Sequence, residues 1–139
     1  MGLGNGEVEM PEYPNAAVIR RAYEVYASGD AAAMREQFTD NVVWHIKGAG
    51  DFDGDYTGPD AVLGFLGRVA AETEGTFRLD VHAILADDEH GVALLTATGQ
   101  RKGRTANSNI VHVTHLRDGK TAEFWAATTD PAGDSAFWS

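Results

Sequence analysis

Cysteine is absent from this 139-residue chain. That excludes disulfides, thiolate nucleophiles and Cys-based zinc or iron–sulfur sites. Long apolar runs are also missing: no stretch approaches the ~20 residues that a membrane span needs. The opening MGLGNGEVEMPEYP has no apolar signal core, and Gly6 stands where a myristoylation motif wants Ser or Thr. Residues 1–13 therefore read as a flexible leader, residues 14–139 as one domain, and the chain as cytoplasmic. Positive charge is scarce, with 11 Lys and Arg against 21 Asp and Glu and a net charge of −10. A nucleic-acid surface must gather cations on one face. The local cluster of Arg101, Lys102 and Arg104 around Gly103 reads instead as a polar hairpin turn. Neither nucleic acid nor membrane is an expected partner.

What is present is an ordinary globular composition, 43% hydrophobic and 23% charged. A chain of this length can bury about two-thirds of its unfolded surface. The stretch DFDGDYTGPD, residues 51–60, places Asp at alternate positions, as a calcium-binding EF-hand loop does at its start. That loop also needs Gly at its sixth position and Glu at its twelfth, and Tyr56 and Val62 stand there. No metal or other cofactor is expected. The stretch reads as a solvated connection, with turns at Gly50, Gly54 and Gly58.

Periodicity divides the chain in two. Val18, Ala22, Val25 and Tyr26 recur at helical spacing, between an expected cap at Asn15 and a stop at Gly29. Asp30 can cap a short second helix that buries Met34 and Phe38. NVVWHI is β-branched and aromatic, hence a strand. Thr57-Gly58-Pro59 opens another helix, with Val62, Phe65, Leu66 and Val69 as its apolar stripe. Beyond Gly75 strands alternate with turns. Phe77, Leu79, Val81, Ala83 and Leu85 share one face of the first, and Lys102-Gly103 and Asp118-Gly119 mark hairpins. Helices followed by a run of antiparallel strands make the class α+β. Several late strands are apolar on both faces, Val111 and Val113 opposite Ile110 and Leu116, and Trp125 opposite Phe124. One face then packs on helices, and a second subunit is the economical cover for the other.

Three segments carry a resemblance: NAAVIRRAYEVYASGDAAAMREQFTDNVVWHIKG, YTGPDAVLGFL and VHVTHLRDGKTAEFW. In order and type they resemble the SnoaL-like branch of the nuclear transport factor 2-like superfamily, over nearly everything after Pro14. The resemblance implies a cone: a curved antiparallel sheet wrapped around the N-terminal helices, enclosing an apolar pocket and dimerising through its outer face. Ketosteroid isomerases, polyketide cyclases, epoxide hydrolases, dehydratases and non-catalytic binders share that fold, so function must be argued from the site. The base that ketosteroid isomerases carry on the first strand falls at Ile46, and their oxyanion-hole Tyr at Ala22, with Tyr23 one position off. The last-strand carboxylate of epoxide hydrolases and cyclases falls at Ala126. The acid that donates to the oxyanion falls at His112. A standard steroid isomerase or epoxide hydrolase is therefore not expected.

His112 is the first candidate for acid–base work, a titratable group on the face shared with Ile110 and Thr114. The bland alternative is a core histidine bonded to a backbone carbonyl or a threonine. Asp130 is its candidate partner, although Asp-Pro is also an ordinary helix start in which the carboxylate caps. Trp44, Ile46, Tyr23, Phe65, Ile110, Thr114, Phe124 and Ala126 are expected to face a ligand. The Trp44 assignment depends on register, since a one-residue slip would turn His45 inward instead. Asn107 and Asn109 could orient ligand or mark a frayed strand start. His115 is expected on the outer face, His82 and His90 at the surface, and Phe137 and Trp138 folded back as a lid or dimer contact. The expected activity is acid–base chemistry of the isomerase, cyclase or dehydratase type on a small apolar molecule, cyclic or carbonyl-containing. The alternative is a binding or scaffold protein that kept the cone and lost the chemistry.

Overall fold

The computed structural model describes residues 13–139, so the expected leader, apart from Tyr13, lies outside the described residues. Helix α1 (Pro14–Ser28) begins with Pro in its first turn and ends where Gly29 takes the left-handed conformation, φ 75°. Asn15, expected as its cap, lies inside the helix. Its amide donates to the carbonyls of Asp87 and Asp88 at 3.1 and 2.8 Å, tying α1 to a distant turn. Asp30 caps α2 (Ala31–Arg35), accepting from the Ala33 N–H at 3.0 Å. Helix α3 (Pro59–Glu72) again starts on Pro, and Val62 and Val69 are its buried positions.

Six strands form one curved, unclosed sheet in the order β2-β1-β6-β5-β4-β3. They are β1 (Phe38–Ile46), β2 (Gly54–Thr57), β3 (Arg78–Ala86), β4 (His90–Arg101), β5 (Arg104–Arg117) and β6 (Lys120–Thr128). Both expected hairpins are present. Lys102 and Gly103 (φ 52° and 74°) and Asp118 and Gly119 (φ 52° and 75°) put two left-handed residues at each tip. That turn matches the twist of the strands it joins. A short helix α4 (Pro131–Phe137) follows β6.

Three further expectations need correction. Part of the Asp-rich connection is a strand: β2 pairs antiparallel with β1, Asp55 opposite His45. The sheet is not wholly antiparallel, because β1 runs parallel to β6. Local periodicity carries no information on which non-sequential strands meet. The shared face from Phe77 to Leu85 is also broken. A bulge between Val81 and Ala83 resets the alternation and leaves Leu85 59% exposed.

The helices fill the concave face of the sheet. Val25, Met34, Phe38, Val42, Trp44, Ile46, Val62 and Phe124 make one buried cluster. Phe52, Val69, Ala106, Phe137 and Trp138 make a second, at the α4 end. Where α1 crosses β4 the approach is close: a Cβ on Gly91 would lie 1.9 Å from Ile19 Cδ1, and that side chain would have to move to admit it. On the convex face Trp125 and Leu94 remain 37% and 41% exposed.

Candidate functional site

Strand periodicity decides what faces inward. On β1 the inward set is Val42, Trp44 and Ile46, and on β5 it is Ala106, Ser108, Ile110, His112, Thr114 and Leu116. Phe124 and Ala126 continue it on β6. The register is therefore the one with Trp44 inside. Between these strands and the helices lies a cavity of about 150 Å3. Tyr23, Trp44, Ile46, Phe65, Ile110, Thr114, Phe124 and Ala126, the residues expected to face a ligand, all border it, as does His112. A cleft of about 530 Å3 lies beside it between α1, α3 and β3, and Tyr23, Tyr26, Leu66 and Phe77 border both spaces.

His112 is buried and its Nδ1 lies 2.7 Å from the Tyr23 hydroxyl. The two rings are nearly parallel, and Phe124 meets the imidazole edge-on at 4.7 Å. Burial with no charge beside it drives the His112 pKa down to about 3 and pushes the Tyr23 phenol well above its usual value. Both groups are thus uncharged at neutral pH. Together they hold two polar protons, and their mutual bond uses one. The other sits on His112 Nε2, when the tyrosine donates, or on the Tyr23 oxygen, when the imidazole donates. Either tautomer leaves the pair one unused donor and one unused acceptor. Such a pair can polarise a carbonyl and shuttle a proton.

The aromatic wall is continuous with this pair. Trp44 stacks on Phe124 at 4.1 Å. Its Nε1 is buried and has no hydrogen-bond partner among the described residues.

The outward residues are accounted for separately. His45 bonds Asp55 through Nδ1 at 2.7 Å and Glu123 through Nε2 at 2.6 Å, and stacks on Trp125. Those two carboxylates, Glu123 foremost, raise its pKa. His115 is on the outer face, its ring against that of His90, and His82 is exposed on β3, bonded to Thr96.

Asp130 is not the partner of His112. It is exposed and caps α4, its carboxylate accepting from the Gly133 N–H at 3.1 Å. The partner is Tyr23, brought from 89 residues away by the α1–β5 contact. Asn107 and Asn109 are exposed, so neither orients anything inside. Phe137 and Trp138 fold back onto Phe52, and Trp138 borders the cavity.

Two charged residues inside escaped the sequence reading. Arg101, expected in an exposed turn, is 4% exposed and bonded to Glu72 and to the carbonyls of Phe137 and Ser139. Its signal was the alternation Gly91, Ala93, Leu95, Ala97, Gly99 along β4, which Arg101 continues. Asp134, 7% exposed, borders the cavity and accepts from the Ser108 hydroxyl. It precedes Phe137 and Trp138 by three and four residues, hence shares their helix face.

Helices seated in the concavity of a curved, unclosed sheet define the nuclear transport factor 2-like fold. Residues 19–124 match the SnoaL-like domain, and the chain belongs to that family. An uncharacterized protein of Mycobacterium tuberculosis is 28% identical over 126 residues, covering 88% of this chain and 94% of that one. Among solved structures, Bal32a from a soil-derived mobile gene cassette superimposes with a TM-score of 0.86 at 28% identity, over 90% of this chain and 96% of that one. TerC, crystallised with polyporic acid, gives 0.77 at 22% identity over 91% and 99%, a likeness of fold alone.

Proposed function

We propose that the cavity takes a small apolar molecule, cyclic or carbonyl-containing, and that the protein does acid–base chemistry on it of the isomerase, cyclase or dehydratase kind. The observation that carries this reading is the Tyr23–His112 pair, two uncharged polar groups bonded at 2.7 Å in an apolar wall. The group that holds His112 is a second cavity residue, so both members of the pair border the space a ligand would fill. The low basicity of His112 favours the donor role: the pair stabilises negative charge developing on a carbonyl oxygen. Standard steroid isomerase or epoxide hydrolase chemistry is not proposed, because Ile46 and Ala126 put apolar groups where those enzymes need carboxylates.

The same two residues favour a second reading, a binder of the same ligand class that performs no chemistry. One experiment separates the two. Cyclic ketones such as cyclohexanone and 1-tetralone are incubated with the protein in D2O, with binding followed by calorimetry and α-proton exchange by NMR. Catalysed exchange that falls ~100-fold or more in His112→Ala, the usual scale for an acid–base group, supports the enzyme. Binding without exchange supports the binder. If no ketone binds and His112→Ala changes nothing, both readings fail.

The reading includes a homodimer through the convex face of the sheet. Trp125 and Leu94 are exposed there beside half-buried Val111 and Val113. Large apolar side chains grouped on one face are costly to leave in water.

A further inference from the structure

We infer that the ligand is a monocyclic ketone with an acidic arm: the ring lies in the cavity, and the arm runs into the neighbouring cleft and ends in a carboxylate held by Tyr26 and Arg78. This rests on the proposed use of the cavity as a ligand site and names the substrate class that site would take.

The two spaces divide such a ligand between them. A cavity of about 150 Å3 holds about one ring, and the carbonyl of that ring meets Tyr23 and His112. The cleft of about 530 Å3 continues from it past Tyr23, Tyr26, Leu66 and Phe77, which border both. An arm on the ring therefore has a largely apolar passage to follow. Tyr26 stands three residues after Tyr23 on α1, so the two share one helix face, with Cβ atoms about 5–6 Å apart.

Two sets of donors are unused along this passage. The Tyr26 hydroxyl has no hydrogen-bond partner among the described residues, and its oxygen meets open space rather than being sealed in the core. Burial raises its pKa, with the Arg78 charge opposing, so the phenol keeps its proton at neutral pH. Arg78 borders the cleft, and its Nη1 donates to the carbonyls of Gly75 and Phe77 at 2.6 and 2.9 Å. Those bonds use both Nη1 protons and fix the plane of the guanidinium. The Nε–Nη2 edge makes no hydrogen bond, and no carboxylate pairs with Arg78, among the described residues. Asp30, which also borders the cleft, caps α2 instead. A free guanidinium edge matches the two oxygens of a carboxylate. In a chain of net charge −10 it offers an anion one favourable place on a surface that otherwise repels it.

The test is a matched panel of cyclohexanones carrying a propanoic, butanoic or hexanoic acid arm at the ring position farthest from the carbonyl, the methyl ester of each, and the matching alkyl ketones. Affinities are measured by calorimetry at about 0.15 M salt, where charges more than ~8 Å away are largely screened. At the arm length that reaches Arg78 the wild type should bind the acid about tenfold or more tighter than its ester, the scale of a hydrogen bond to a charged group. Arg78→Gln should abolish that preference while leaving the esters and alkyl ketones unchanged, and Tyr26→Phe should reduce it. Acids that bind no better than their esters at every arm length overturn the inference, and that comparison needs no variant to fold. A preference kept by Arg78→Gln overturns it too. If the alkyl ketones bind but the carboxylate adds nothing, this inference alone fails. If no ketone binds, the proposed function fails with it.

Discussion

His112 and His45 show how one residue type takes opposite electrostatic roles on the two faces of a sheet. Burial pulls His112 down to about 3, whereas hydrogen bonds to Glu123 and then Asp55 raise His45. The consequences for stability have opposite sign. Between the ordinary histidine value near ~6.5 and about 3, the unfolded chain binds a proton at position 112 that the folded chain refuses. Stability therefore falls as pH falls through that window, by about 1.4 kcal/mol per pH unit from this group. The contribution of His45 is complete below the ordinary value and is lost as pH rises through its raised pKa. In NMR titrations the His112 ring signals should stay flat from pH 5 to 8, while His45 should titrate above the ordinary histidine range. In urea unfolding at pH 4 to 7, His112→Gln should flatten the acid limb relative to wild type. An ordinary titration of His112 would contradict its burial and the uncharged pair.

Helix α4 is too short to hold itself in place by helix propensity. It is held by its neighbours: Arg101 from β4, Arg104 and Ser108 from β5, and the packing of Phe137 and Trp138 on Phe52. Arg101 is the central tie, joining the end of α3 through Glu72 to the last carbonyls of the chain. Removing one partner of a buried ion pair leaves the other uncompensated, which typically costs about 3 kcal/mol or more. Glu72 is partly exposed, so Arg101→Ala should fall at the lower end of that scale. Hydrogen exchange should quicken over residues 131–138 well before the sheet loosens. Exchange that quickens uniformly would mean that Arg101 supports the whole fold rather than α4.

At the scale of the whole molecule, the concave face of the sheet is filled by helices, and the convex face carries exposed Trp125 and Leu94 beside half-buried valines such as Val111 and Val113. The proposed dimer covers this convex face. Trp125→Glu should turn it monomeric, because an unpaired charge would be buried in the contact. Sedimentation at micromolar concentration reads the outcome, and the cavity should keep its ligand affinity in the monomer. A wild type that is already monomeric would remove the dimer and leave Trp125 a surface residue.

Sequence by itself determined most of the elements and, within a regular strand, which residues share a face. Pro at helix starts, Gly29 at a helix end, and paired left-handed residues at two hairpin tips act within a few residues, and a period of two assigns Trp44, Ile46, Ile110, His112, Thr114 and Phe124 to one side. Tertiary structure alone decided which of those polar groups meet. Tyr23 reaches His112 because α1 packs across the sheet, and β1 joins β6 in parallel although most of the chain separates them. The bulge in β3 and the burial of Arg101 and Asp134 belong to the same category. Each depends on contacts between distant segments, whose balance of desolvation and hydrogen bonding has no local signature along the chain.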